Sequence, residues 1–100
     1  MFGHKVNELH PPPAAEADRE AVEIARIWVA SGDQHVVLRP DVWEDPAAWG
    51  ILLVDLARHA ARTYHQSEGH DLAKTLSRIK AGFDAEWGTP TDEPTGGLRS

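Results

Sequence analysis

The histidines are the first side chains to test for chemistry, because imidazole and carboxylate groups together can bind zinc or nickel. His59, His65 and His70 lie close together in the sequence, with Glu68 and Asp71 beside them. Metal-binding histidines on one helix occur at positions i and i+4, as in H-E-x-x-H, whereas His59 and His65 are six positions apart. We therefore expect exposed polar histidines and no metal site.

No other group of residues matches a catalytic pattern. The carboxylate pairs fall at the ends of predicted elements or in the C-terminal tail, where helix capping is the simpler role. The hydroxyls lack a G-x-S-x-G context, and the glycines match neither common nucleotide-binding pattern. The sequence has no cysteine, which excludes disulfides and Cys-based metal sites. We expect no enzyme activity and no cofactor.

Tryptophan is the unusual feature of this chain, with four in 100 residues. Trp49 and Trp87 fall on the apolar sides of predicted helices and are expected in the core. Trp28 instead lies among cationic residues on a predicted strand. Tryptophan and arginine are enriched in binding hot spots. The predicted interaction surface consists of Arg26, Trp28, His35, Val37 and Arg39.

A predicted β-hairpin positions these residues. Residues 22–30 are rich in β-branched and aromatic residues, and residues 34–39 are their partner across a turn at Gly32. A hairpin loop of two residues and a loop of four residues place the same residues on each face of the sheet. The apolar face then carries Ala25, Ile27, Val29, Val36 and Leu38. The mixed face carries the predicted interaction surface, and a shift of one residue would mix the two sets.

Two helices follow the hairpin. Residues 46–67 begin with Asp45 as a cap and Pro46 in the first position, and residues 71–87 form the second helix after a short linker. The apolar side of the first helix carries Trp49, Leu52, Leu53, Leu56, Ala60 and Tyr64. That of the second carries Leu72, Leu76, Ile79, Phe83 and Trp87. The predicted fold is α+β, with the apolar face of the hairpin packed on an antiparallel helix pair.

The remaining segments are polar. We expect a flexible arm over residues 1–20, which contain the triplet Pro11 to Pro13, a single domain over residues 21–88, and a disordered tail over residues 89–100. No apolar run is long enough to span a bilayer, so a cytoplasmic protein is expected. The net charge of −6 is uneven, because residues 51–82 hold five basic and three acidic residues.

Three kinds of partner follow from these features. The first is a second copy, which would form a homodimer either by stacking of the mixed faces or by pairing of the hairpin edges. The alternative to a homodimer is a monomer whose N-terminal arm covers Trp28. The second is a small anion held by Arg26 and Arg39, with Trp28 stacked on it. The third is nucleic acid, which the net charge disfavours. Its predicted contacts are Arg58, Arg62, Lys74 and Arg78.

Two motifs also carry a resemblance. The run DPAAWG at residues 45–50 and the run AEWGTPTDEPTG at residues 85–96 resemble a small family of bacterial proteins known only as a domain of unknown function. The resemblance covers roughly residues 11–96. It implies a bacterial cytoplasmic origin and transfers no catalytic residue. It also implies, as an alternative to a disordered tail, that residues 89–95 fold back on the domain.

Overall fold

The computed structural model describes residues 6–89. Its elements are α1 (Pro13–Ala17), β1 (Ala25–Ala30), β2 (Asp33–Leu38), α2 (Ala47–Glu68) and α3 (Leu72–Gly88). The predicted α+β class, with a hairpin and an antiparallel helix pair, is confirmed. The chain divides into two compact units between Arg39 and Pro40, with the hairpin in the first and the helix pair in the second. The predicted single domain spans both units and stays a prediction.

The hairpin has the predicted register. Its six pairs run from Ala25 opposite Leu38 to Ala30 opposite Asp33, which leaves a loop of Ser31 and Gly32. Both loop residues have positive φ, 54° and 79°, as a type I′ turn requires. The two-residue loop is therefore the correct alternative, and the predicted assignment of residues to the two faces of the hairpin is confirmed.

Strand β1 begins three residues after its predicted start near residue 22, and β2 begins one residue before its predicted start near residue 34. The amide of Arg39 donates to the carbonyl of Ile24, and Pro40 then has no amide with which to continue the ladder. Residues before Ile24 consequently have no opposite partner. At the turn, Asp33 pairs with Ala30 and extends β2 by one residue.

The apolar face of the hairpin is largely open. Ile27 is 62% exposed and Val29 is 78% exposed, whereas Val36 is half-buried. The burial expected for this face is therefore wrong at Ile27 and Val29. The sequence pattern of a strand shows which residues share a face but not whether that face is covered.

The N-terminal arm contains a short helix. Helix α1 begins at Pro13, directly after the extended residue Pro12. Proline suits this position because its missing amide proton would have no partner in the first turn. Residues 1–5 of the predicted arm lie outside the described residues.

The ends of α2 and α3 follow local capping rules. The carboxylate of Asp45 accepts from the amide of Ala47 at 3.0 Å, so Asp45 caps α2 as predicted, although the helix begins one residue later. Gly69 ends α2 with a φ of 74°, and its amide donates to the carbonyl of His65 at 2.9 Å. Asp71 caps α3 by accepting from the amide of Lys74 at 2.9 Å. Helix α3 continues to Gly88, one residue beyond the predicted end.

The helix pair is packed around alanine. Ala61 is 3% exposed and is the one buried residue in the part of the chain that the structure describes. Trp49, Leu52 and Leu76 are half-buried. The predicted core position of Trp87 is wrong, because this side chain is 78% exposed and stacks on Phe83 at a centroid distance of 5.6 Å.

Five other members of the predicted helix stripes are also more exposed than expected. They are Leu53, Leu56, Tyr64, Leu72 and Phe83. A broad apolar stripe allows several rotations of a helix about its axis, and the observed one places small residues toward α3. Between residues 6 and 89 neither helix is long and apolar enough to cross a membrane. Of the predicted tail, Thr89 alone falls within the described residues, so the fold-back alternative lies outside them.

Two glycine substitutions test the helix boundaries. Gly69→Ala should destabilise the protein, because a left-handed conformation costs an L-residue roughly 1–2 kcal/mol. Gly82→Ala lies inside α3, where an added Cβ meets nothing within 4 Å. It should stabilise the protein by roughly 0.5–1 kcal/mol. Urea unfolding measures both changes, and a Gly69→Ala variant at least as stable as the wild type would contradict the Gly69 cap.

Candidate interaction surface

The hairpin brings the predicted surface residues together. Arg26 lies directly opposite Val37, and Trp28 lies directly opposite His35. Arg39 follows β2 and lies on the same face of the hairpin as Val37, because the two residues are two positions apart. Directly opposite residues have Cβ atoms about 4.5–5.5 Å apart, so these side chains form one continuous patch. We keep the name mixed face for Arg26, Trp28, His35, Val37 and Arg39.

Arg26 is held by two carboxylates. Its Nε donates to Oε1 of Glu23 at 2.8 Å, and its Nη1 donates to Oε2 of Glu8 at 2.6 Å. These hydrogen bonds, that of Glu23 first and that of Glu8 second, raise the pKa of Arg26 above its ordinary value. The guanidinium thus stays charged and already has anionic ligands. All three side chains are about half exposed, so water screens the pairs.

Glu8 ties the N-terminal segment to the hairpin. Asn7, Glu8 and Leu9 line a shallow cavity of about 190 Å³ together with residues of β1 that include Arg26 and Trp28. Trp28 remains half-buried. The N-terminal segment therefore borders the indole, which is part of what the monomer alternative requires. The sequence contained a weak signal for this contact, namely an acidic residue in the arm and a cation on the strand.

The other polar groups of the mixed face also have partners in the chain. Nε of Arg39 donates to the carbonyl of Glu23 at 2.7 Å, and Nε2 of His35 lies 3.1 Å from the carbonyl of Ala30. Val37 is 64% exposed. The face therefore offers an apolar centre and two arginines that already donate to acceptors within the chain.

His65 and His70 make hydrogen bonds at the turn between α2 and α3, whereas His59 lies further back on α2. Nδ1 of His65 donates to the carbonyl of His70 at 2.8 Å, and Nε2 of His70 lies 3.2 Å from a carboxylate oxygen of Glu68. His59 lies 3.4 Å from Asp55, one turn away on α2. Within residues 6–89, no three histidine or carboxylate side chains are arranged to hold a metal ion.

The predicted nucleic-acid contacts lie on the helix pair. In the described part of the chain, no ion pair is formed by Arg58, Arg62, Lys74 or Arg78. Arg58 and Arg62 border an open groove between α2 and α3 with a volume of about 320 Å³. Its other lining residues are Ala61, Leu72, Ala73 and Leu76. Sequence analysis placed Leu72 and Leu76 on the apolar side of α3 but missed the groove, because it did not place Ala61 or Ala73 at the contact between the helices.

Comparison with known proteins places the chain in a family. The family described as domain of unknown function DUF5076 matches residues 8–91, and the chain belongs to it. This confirms the resemblance found in the sequence. A solved structure described as that of "a putative pyruvate dehydrogenase from the photosynthetic bacterium Rhodopseudomonas palustrus CGA009" is 40% identical, with 96% of each chain covered and a TM-score of 0.71. No curated protein matches the chain.

Glu8→Gln tests the attachment of the N-terminal segment. The substitution removes the charge that holds Nη1 of Arg26, so backbone amides at Asn7 and Leu9 should become more mobile in ¹⁵N relaxation measurements. Glu16→Gln is the control, because it removes an exposed carboxylate of α1 that contacts no cation among residues 6–89. Unchanged relaxation at Asn7 and Leu9 would show that Glu8 does not anchor the segment.

Proposed function

We propose that this protein works by contact rather than catalysis, and that it self-associates through its hairpin. The observation that carries the proposal is the exposure of Ile27, Val29 and Val37 on a sheet of two strands. Isolated two-stranded hairpins are marginally stable in water, and three or more strands or a packed cover are needed for independent stability. A second hairpin paired along one edge extends the sheet to four strands.

A second copy suits this surface better than an unrelated partner. Among the described residues the sheet contains β1 and β2 alone, so both outer edges have backbone groups without a strand partner. An identical hairpin presents the same edge and the same two faces, and a twofold axis closes the assembly. The proposal is a homodimer with the hairpins at its centre.

The two faces have different proposed roles. On the mixed face, Arg26 is occupied by Glu8 and Glu23, so Trp28 and Val37 supply its apolar contact area. On the apolar face, Ile27 and Val29 are exposed and carry no polar group of their own. With the hairpins paired edge to edge, each face continues from one copy to the other. We propose that contacts on the apolar face bury most of the area and that contacts on the mixed face fix the orientation.

We also propose that the protein acts in the bacterial cytoplasm. The structural neighbour comes from a photosynthetic bacterium, and a chain without cysteine suits a reducing compartment.

Self-association is tested by sedimentation equilibrium at several concentrations. The wild type should form a dimer, and the double variant Ile27→Ser, Val29→Ser should dissociate, because burial of each aliphatic side chain contributes about 1.5–3 kcal/mol. Ile51→Ser is the control, since Ile51 is 73% exposed on α2 and lies outside the hairpin. A wild type that stays monomeric at every concentration overturns the proposal.

Trp28→Ala tests the mixed face in the same experiment. If the mixed face orients the dimer, this variant should associate more weakly than the wild type, since aromatic residues dominate hot spots and cost at least about 2 kcal/mol on truncation. An association constant equal to that of the wild type would remove the mixed face from the interface. The apolar face would then carry the contact alone.

A small-anion site is the second candidate, favoured by the name of the structural neighbour, which refers to pyruvate, a small carboxylate. The proposed ligands are Arg26 and Arg39, with Trp28 packed on the anion. Because Glu8 already occupies Arg26, an external carboxylate must compete with it.

Thermal unfolding with added pyruvate tests this candidate. A ligand at about 100 times its dissociation constant adds roughly 2.7 kcal/mol of stability. Methyl pyruvate, which has no charge, should have no effect, and Glu8→Gln should strengthen binding by removing the competing carboxylate. Equal responses to the acid and its ester would exclude recognition of the anion.

A further inference from the structure

We propose that the groove between α2 and α3 binds a small amphiphile, a medium-chain carboxylate, with its acyl chain between the helices and its head group at Arg58 and Arg62. This site is separate from the hairpin, and the proposal does not depend on self-association. It uses cations that the described part of the chain leaves unpaired.

The floor of the groove is made of small residues. Ala61 on α2 is buried at the floor, and Leu72, Ala73 and Leu76 of α3 line the groove opposite it. Alanine at both positions leaves a volume of about 320 Å³. Ligand pockets in proteins range from about 300 to 1,000 Å³, so the groove suits a small apolar body rather than a large cofactor.

Local interactions preform the groove. It lies next to the turn between the helices, where Gly69 ends α2 and Asp71 caps α3. The hydrogen bond from His65 to the carbonyl of His70 closes the same turn. A ligand therefore meets two helices that are already held together, which lowers the ordering cost of binding.

The rim of the groove carries the charge that selects the ligand. Arg58 and Arg62 are one helical turn apart on α2, and within residues 6–89 neither forms an ion pair. Like charges at this spacing destabilise a helix, and an anion between them removes the repulsion. The planar guanidinium group also matches a carboxylate in bidentate geometry.

Charge also argues against a second copy as the occupant. In a twofold contact the same patch meets itself, so Arg58 and Arg62 would approach their own equivalents. The net charge of the whole chain, −6, disfavours a nucleic acid in the same place. An apolar chain with an anionic end satisfies both the floor and the rim.

Titration with sodium decanoate below its micelle concentration, followed by calorimetry and by NMR of the Ala61 and Ala73 methyl groups, tests the proposal. We expect saturable binding with shifts at both methyl groups. Decanol and acetate, which lack the charge and the chain respectively, should bind at least tenfold more weakly. Equal binding of decanol and decanoate, or no binding of decanoate, overturns the proposal.

Variants locate the site. Arg58→Gln with Arg62→Gln should weaken decanoate binding at least tenfold, and Ala73→Leu should abolish it by filling the groove while the helix content by circular dichroism stays that of the wild type. Lys74→Gln with Arg78→Gln is the matched control, since it removes two cations that do not line the groove, and should bind as the wild type does. Equal losses in both double variants would show unspecific charge attraction and overturn the proposal.

The hairpin variant Ile27→Ser, Val29→Ser separates this site from the proposed dimer. It should bind decanoate with the wild-type affinity even when its self-association is lost. Loss of decanoate binding together with dissociation would place the ligand at the subunit contact and overturn the groove assignment.

Discussion

The scarcity of buried side chains is the constraint on which the rest of the structure depends. Between residues 6 and 89, Ala61 alone is buried, while large aliphatic and aromatic side chains stay in contact with water. Ordering a chain costs about 1–2 kcal/mol per residue in backbone entropy, and apolar burial is the main term that offsets it. With so little burial, turns and caps hold each element in shape, and the exposed apolar surface is available to another molecule.

The features fixed by local interactions could be predicted from the sequence. Gly32 permits the positive φ of the turn, and alternation along the strands then selects one register. Asp45 and Gly69 similarly determine where α2 begins and ends. Each of these depends on residues within a few positions of one another, so a single sequence contains the required information. The family membership was also predicted, from two short motifs.

The features fixed by packing could not be predicted in the same way. The apolar stripe of α2 is wide enough to face its neighbour in several rotations, and the observed one uses Ala61 rather than a leucine. Trp87 fits the periodicity of a core residue yet lies exposed against Phe83. Periodicity assigns residues to a face of a helix, whereas burial depends on which other element lies opposite that face.

The charged residues show the same limit, because some of their partners are far from them in the sequence. Arginine is a residue type common in binding sites, but the guanidinium of Arg26 already binds the carboxylate of Glu8, which lies eighteen positions earlier in the sequence. Arg58 and Arg62 were predicted as part of a general basic surface, and the position of α3 makes them the rim of a groove. In both cases the residue type was correct and its partner was not visible in the sequence. The proposed role of each arginine depends on its neighbour in the fold, which is Glu8 for Arg26 and the groove between the helices for Arg58 and Arg62.

The central claim is that the exposed apolar hairpin is covered by a second copy in solution. The most direct test is the unfolding temperature measured over about a hundredfold range of protein concentration, because association stabilises the folded state by mass action. The unfolding temperature should rise with concentration in the wild type and stay constant in the variant Ile27→Ser, Val29→Ser. A constant unfolding temperature in the wild type, with a monomer mass throughout, would contradict it.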